Sequence, residues 1–366
     1  MSATVLAAVM PSPHAAIEVR ELPEPALPPG SALLRTARSE VCGTDVHLWH
    51  GRLSGVPYPI IPGHVTTGTL EKIHGPLSDV RGEPFAEGDR VAFFDVHRTC
   101  GRCLACTVHH TPTRCPHRRV YGISDPVSEG LLGGWAQKVY LEPGVVIARL
   151  PARVSVESYI GGGCGLITAM HIIDRARLSL GSTVVVQGAG AVGLSTAALA
   201  RQSGAGRVIV IGGPANRLEL ALAMGADDVI PLDGTTAEER RVRALDLTAD
   251  VGADVVVEAA GSPHAFEEGL KLARDGGAYV VAGHYTNTGD SRINAHEDIN
   301  RKHLDIRGCW GSEAAHFFRA LEFLDRHPAI PFARIGARTY GLADLNDALE
   351  TAAALRVPKA LVDPWR

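Results

Sequence analysis

One stretch constrains the fold of this chain more than any other: "SLGSTVVVQGAGAVGLSTAALARQSGAGRVIVIGG", residues 179–213. "TVVVQ" has the apolar character of a buried strand. Gly188, Gly190 and Gly193 then form G-x-G-x-x-G, a helical pattern opens at Ala191 and Val192, and "RVIVI" is a second buried strand. The first glycine allows a tight turn. The second lets the backbone approach a pyrophosphate, and the third lets helix and strand pack closely, with the helix N-terminus facing the phosphates. "GADVVVEAAG" and "GGAYVVAG" follow as further buried-type strands, spaced by helical patterns. Strands alternating with helices predict an α/β unit whose parallel sheet is covered on both faces.

A carboxylate is expected at the end of the second strand, about 20 residues after the glycine turn, where it holds the cofactor ribose and repels a 2′-phosphate. That strand ends instead in Gly212, Gly213 and Pro214. Arg217 is suited to a 2′-phosphate and equally suited to a solvated first helical turn. The cofactor is therefore expected to be NAD or NADP, with the choice open.

The rest of the 366-residue chain is too much for one ordinary core. Residues before about 150 are rich in Pro, Gly and β-branched side chains, and "GSALLRTARSEV", "GTLEKIHG" and "GDRVAFF" read as short strands bounded by turns. Beyond about residue 309, "EAAHFFRALEFLDRH" and "LADLNDALETAAAL" are helical patterns and "KALVDP" is a last strand. A net charge of -4 gives no reason to expect nucleic acid or an anionic membrane as partner. No apolar run reaches the roughly 18 residues of a membrane span. The opening "MSATVLAAVMPSPHAAIEV" lacks a basic leader and reads as a first strand, so a cytoplasmic protein is expected.

Seven cysteines, an odd number, do not suit a disulfide framework. Four of them, Cys100, Cys103, Cys106 and Cys115, are spaced C-x2-C-x2-C-x8-C. Four thiolates so close suit a closed tetrahedral zinc shell, with an iron–sulfur cluster as the competing metal. A shell with no open position is structural. Cys42, His64 and Cys164 form a different set: two thiolates, one imidazole and one free position, the Cys2His arrangement of a catalytic zinc.

These motifs together resemble the zinc-dependent medium-chain alcohol dehydrogenase family over essentially the whole chain, with "CGTDVHLWHG" most similar to its polyol dehydrogenase branch. "CGTDVH", "GHVTTG" and "GCGLITA" resemble its ligand segments, and the four-cysteine run its structural-zinc lobe. The resemblance implies a GroES-like, partly open β-barrel catalytic domain over residues 1–160, with the lobe at about 95–118. A doubly wound Rossmann domain would follow over 161–308, and 309–366 would return to the catalytic domain. It implies two zinc ions per chain and a homodimer or homotetramer. It also implies roles: Thr44 accepts the alcohol proton, His47 passes it on through the cofactor ribose, Asp45 holds the imidazole of His64, and Lys359 meets the cofactor pyrophosphate or a nearby group.

The chain departs from that family at two places. The lobe has eight residues between its third and fourth cysteines where the family usually has seven, a small change in loop closure. Val65 follows His64 where the family usually has glutamate, so a less negative metal site with no carboxylate behind it is expected. The function implied is hydride transfer between NAD(P) and a small-molecule secondary alcohol, cyclic ones included, or its ketone or aldehyde. Two alternatives stand beside it. One is reduction of a conjugated enone or enal on the same fold, which gives Thr44 and His47 no work. The other is a non-catalytic zinc- and dinucleotide-binding redox sensor, which leaves Cys42, His64 and Cys164 without a purpose.

Overall fold

The computed structural model describes residues 3–366, and the chain divides into two compact units. One unit comprises the chain up to Gly163 together with Glu313–Pro328 and Phe332–Arg366; the other comprises Cys164–Ser312 and Ala329–Pro331.

The first unit is mostly β. The expected first strand spans Thr4–Val9, and Met1 and Ser2 of that stretch lie outside the described residues. The long strand Ser31–Val41 is the centre of a seven-stranded sheet. It pairs antiparallel with Thr66–His74, with Lys138–Leu141 and with Lys359–Val362, the last strand of the chain. Arg90–Phe93 and Ile147–Arg149 extend the sheet on one side and Gly336–Tyr340 on the other. The register between Ser31–Val41 and Thr66–His74 shifts twice, with an extra residue in Thr66–His74 opposite Leu33/Leu34 and one in Ser31–Val41 between Thr36 and Arg38, and such bulges bend a sheet toward closure. Buried Leu34, Leu70, Val91, Phe93, Val139 and Ile147 fill one core of this unit. The helix Ala314–Arg326 buries Phe317, Ala320, Leu321 and Leu324, the stripe expected of an amphipathic helix.

The second unit is a six-stranded parallel sheet. Its spatial order is Asp228–Pro231, Arg207–Gly212, Thr183–Gln187, Ala253–Glu258, Ala273–Val281, Asp305–Gly308. The order reverses beside Thr183–Gln187, the strand that feeds the glycine turn. A crevice for a dinucleotide opens at the carboxyl ends of the strands at such a reversal. Two of these strands, Asp228–Pro231 and Asp305–Gly308, have no counterpart among the buried-type strands read from the sequence. They are the sheet's edges, short and half exposed, and so lack the apolar runs that mark the inner four.

Just ahead of the four-cysteine lobe, strand Val96–Arg98 carries a buried charge network. His97 Nε2 stands 3.0 Å from Asp125 Oδ2, and His97 Nδ1 stands 2.5 Å from Glu142 Oε2. Arg119 pairs with Asp125 and Glu129. A carboxylate on each ring nitrogen is satisfied only by an imidazolium. Burial alone would lower the His97 pKa, but Asp125 and Glu142 outweigh it and raise it. A raised folded-state pKa stabilises the fold fully below the ordinary histidine range, about 6.5, and that contribution is lost as pH rises through the raised value. Removing one partner of a buried ion pair costs on the order of 3–5 kcal/mol. His97→Leu should therefore lower the unfolding free energy by about that much at slightly acid pH. The gap to the parent protein should narrow as pH rises, as followed by denaturant titration with circular dichroism. A gap that does not change with pH would show that His97 is held neutral.

Candidate active site

The candidate metal ligands Cys42 and His64 sit at a strand end and a turn of the first unit, and Cys164 is the residue at which the second unit begins. Cys42 follows the last residue of strand Ser31–Val41 and caps the short helix Gly43–Trp49. His64 lies in the turn just before strand Thr66–His74. Cys164 follows Gly163, where the helical run Val156–Ala176 breaks with φ 44° and ψ -141°. That conformation requires glycine, and the space does too: a Cβ at Gly163 would overlap the Glu40 carboxylate and the Lys359 ammonium. Cys42 Sγ is 3.9 Å from His64 Nε2. One ligand atom from each of Glu40, Cys42, His64 and Cys164 falls within 4.8 Å of all the others.

Glu40 is the residue that sequence reasoning missed. It lies two positions before Cys42 on the same strand, fully buried, with its Oε1 3.6 Å from His64 Nε2. A glutamate in the mixed polar stretch Arg38–Ser39–Glu40 gives no periodic sign of this. The available signal was the carboxylate itself, at an inward position beside a ligand. The expectation drawn from Val65 is corrected accordingly. Val65 is buried and apolar, but a carboxylate does stand behind the metal ligands, brought by another position of the chain.

Lys359, expected near the cofactor pyrophosphate or a nearby group, is engaged inside the protein. It is fully buried, with its Nζ 2.5 Å from Glu40 Oε2, and it donates to the carbonyl oxygens of Ile160 at 3.1 Å and Gly162 at 3.4 Å. A buried ammonium needs a paired anion, and Glu40 supplies it. Asp45 differs from its expected role as well. Its Oδ2 accepts a hydrogen bond from the Cys42 backbone N–H at 2.9 Å, so it fixes the turn that carries the thiol, and no hydrogen bond joins it to His64.

The electrostatics of the cluster suit a cation. Burial raises the Glu40 carboxyl despite Lys359, and raises Asp45 well above the usual range. Burial would lower His64, yet the Cys42 thiolate, Glu40 and Asp45 together hold its proton up to about 10. Without a metal, the cluster is an excess of buried anionic donors gathered around one imidazolium. Glu40 Oε1 is buried without a hydrogen bond, as is His64 Nδ1. A divalent ion at these atoms resolves the excess charge, so the residues fit zinc.

Thr44 and His47 both lie on helix Gly43–Trp49, three apart and so on one face. Both are half-buried. Burial, reinforced by Arg52, lowers the His47 pKa and favours its neutral form.

The four-cysteine lobe converges as its spacing predicts. One sulfur from each of Cys100, Cys103, Cys106 and Cys115 lies within 4.8 Å of the other three. Backbone N–H groups of Cys100 and His117 point to Cys115 Sγ at 3.3 and 3.4 Å, and the backbone N–H of Arg102 is the main reason that the Cys100 pKa falls to about 6. The short turn Pro112–Arg114 leads directly into Cys115.

In the second unit, Gly188 has φ 112°, and a Cβ there would come within 2.7 Å of the Ala259 carbonyl oxygen. A Cβ at Gly193 would overlap the Gly188 carbonyl oxygen, whereas Gly190 faces open space at the N-terminus of helix Ala191–Gln202. Two glycines are thus required for packing, and the one that would face a pyrophosphate is unobstructed, with the backbone N–H groups of Ala191 and Val192 in the first turn. A side chain at Gly212 would come within 2.8 Å of Ala189. Arg217 is 6% exposed, so it is not a solvated first-turn arginine. Asp233, from the end of the next strand, lies 3.4 Å from where a Cβ of Gly213 would be. The end of the second strand thus has an acid, Asp233, beside Gly213.

Comparison with known proteins agrees with this geometry. The family model described as alcohol dehydrogenase GroES-like domain matches residues 28–152, and that described as zinc-binding dehydrogenase matches residues 191–326. The chain is 34% identical to 5-exo-hydroxycamphor dehydrogenase of Pseudomonas putida over 357 residues, 95% of each protein. It belongs to the zinc-dependent medium-chain alcohol dehydrogenase family. It is also 30% identical to the sorbitol dehydrogenase of Bacillus subtilis strain 168, over 92% of this chain and 90% of that one. An alcohol dehydrogenase from Thermotoga maritima superposes with a TM-score of 0.94 at 32% identity, over 99% of this chain and 100% of that one. This alcohol dehydrogenase is thus a zinc-dependent oxidoreductase that acts on a small-molecule alcohol or its carbonyl product with NAD or NADP. Among the described residues, no helix is long and apolar enough to cross a membrane.

Metal analysis checks the ligand sets. The purified protein should carry two zinc ions per chain. Cys103→Ser should lose one of them, together with thermal stability, and Cys164→Ser should lose the other. A variant that kept both ions would remove its cysteine from the ligand set.

Proposed function

We propose that the substrate is a secondary, cyclic alcohol or its ketone, and that Thr44 and His47 carry its hydroxyl proton away. The single observation that supports this most is the arrangement of helix Gly43–Trp49, which begins beside the ligand Cys42 and presents Thr44 and His47 on one face. The chemistry of a relative supports the substrate class: 5-exo-hydroxycamphor is a bicyclic secondary alcohol.

Cys42, His64 and Cys164 would hold zinc, which would supply Lewis acidity, and the glycine turn would hold the nicotinamide dinucleotide, whose chemistry is hydride transfer. The protein's own work is to position and to move the proton. The alcohol hydroxyl would donate to Thr44 Oγ1 as the Thr44 hydroxyl donates onward, and neutral His47, on the same helix, would be the acceptor at the end of the relay. Its lowered pKa suits it to release that proton to water. One proton and one hydride leave the alcohol, and a ketone remains. Gly188, Gly190, Ala191, Val192, Gly193 and Gly212 line the cofactor in this reading, and Arg217 stands near its ribose. The first unit then serves as the catalytic domain and the second as the dinucleotide-binding domain. We also propose a homodimer or homotetramer in the cytoplasm, where thiolate ligands stay reduced.

A spectrophotometric screen of primary, acyclic secondary and cyclic secondary alcohols, each with NAD and with NADP, tests the reading. Cyclic secondary alcohols should give the highest kcat/KM. Thr44→Val should lower kcat by about 10²–10⁴-fold with zinc content unchanged. His47→Gln should lower it less and alter its pH profile. Turnover of primary alcohols alone would refute the substrate class, and enone reduction with no alcohol turnover would refute the reaction.

A further inference from the structure

We propose that Glu40 is a fourth protein ligand of the catalytic metal in the resting enzyme, and that Lys359 is the positioning residue that holds it there. The inference rests on the reading of Cys42, His64 and Cys164 as that metal's ligands. Three independent observations carry it.

The first is geometry. Ligands about 2.0–2.3 Å from a tetrahedral ion stand roughly 3.3–3.8 Å from one another. Glu40 Oε1 is 3.6 Å from His64 Nε2, and Cys42 Sγ is 3.9 Å from the same nitrogen. Glu40 is therefore placed as a ligand is placed, and it belongs to the same convergent group as Cys164.

The second is an unmet acceptor. Glu40 is fully buried, and its two oxygens are treated differently. Oε2 takes the Lys359 ammonium at 2.5 Å, while Oε1 has no hydrogen bond. A buried carboxylate oxygen left unsatisfied is costly. A cation at the centre of the cluster satisfies it.

The third is charge. Two thiolates and one carboxylate around a dication leave one negative charge in a buried site, and the Lys359 ammonium cancels it. Lys359 also donates to the Ile160 and Gly162 carbonyl oxygens, in the turn that leads to Cys164. One cation thus fixes the Glu40 carboxylate and the backbone approaching another ligand. Gly163 has no side chain, which lets both groups reach that turn. A second carboxylate at position 65 would leave the balance negative again, and Val65 avoids this.

With four protein ligands the metal has no open position at rest. Glu40 leaves it when an alcohol or ketone oxygen arrives, and the Oε2–Lys359 pair keeps the displaced carboxylate from being stranded.

The test uses the full-length protein with cobalt(II) at the catalytic site and zinc left in the four-cysteine lobe, without substrate or cofactor. Electron–nuclear double resonance in deuterated water should find no exchangeable water on the cobalt. In E40Q/K359M, which removes both charges together, a water ligand should appear and the visible d–d band should shift. Cobalt release to a chelator should also become at least tenfold faster. Unfolding of the metal-free double variant reports stability separately, and if that variant does not fold, the water measurement on the parent protein decides. A cobalt-bound water in the parent, or an unchanged band in the double variant, overturns the proposal while leaving the three-ligand site intact. Uptake of only one metal ion per chain overturns both.

Discussion

Two charges that see no solvent, the Glu40 carboxylate and the Lys359 ammonium, meet at 2.5 Å behind the metal ligands. They are 319 positions apart in the chain. Glu40 ends an early strand, and Lys359 opens the last one, which pairs with it in antiparallel register from Ala360 opposite Val41 to Val362 opposite Ser39. The ligand cluster is therefore finished only when the end of the chain has been laid into the sheet. A buried ion pair adds little net stability over well-packed apolar residues of similar volume, yet breaking it by removing one partner is expensive. Stability alone gives no reason to keep such a pair, so the reason lies in what Glu40 faces: two thiolates and an imidazole.

The second unit meets a different constraint with backbone alone. A dinucleotide phosphate needs close approach to N–H groups, and close approach needs the absence of side chains. Gly188 and Gly193 remove side chains where strand, turn and helix touch, and Gly190 removes one where a phosphate would sit. The parallel sheet holds this turn in place through in-register pairing on both sides: Val185 lies opposite Ile209 on one neighbour and Val256 on the other. No long-range charge pair is needed there, because the recognising groups are the peptide units themselves.

That contrast explains what could be read from the sequence. Features that live on short segments were legible. The glycine turn, the four inner parallel strands and the four-cysteine lobe follow from local spacing and residue type, while Cys42, His64 and Cys164 were grouped by residue type and by the resemblance of their segments to a known family. Features set by space were not. Glu40 looked like one polar residue in a strand, because its partners lie at positions 42, 64, 164 and 359. Lys359 was placed near the cofactor by the family resemblance alone, because its partner Glu40 lies 319 positions away. Asp45 was read onto His64, but a carboxylate three residues after a backbone N–H at a helix start finds that N–H first. The two edge strands were invisible because edges carry no apolar run.

Position 65 shows why the distinction matters for chemistry. Judged by its neighbours in sequence, Val65 removes a negative charge from the metal site. Judged in space, the charge comes from the strand that precedes Cys42 and has a counter-ion. A metal responds to the sum of charges within a few ångströms and is indifferent to which segment supplies them. The field at the ion therefore depends on Glu40 and Lys359 together: a change at either alone leaves a buried charge without its partner, while a joint change alters the ion's surroundings and spares the fold that penalty. The pair, which the sequence separates by most of its length, is the unit through which this site's electrostatics can be varied.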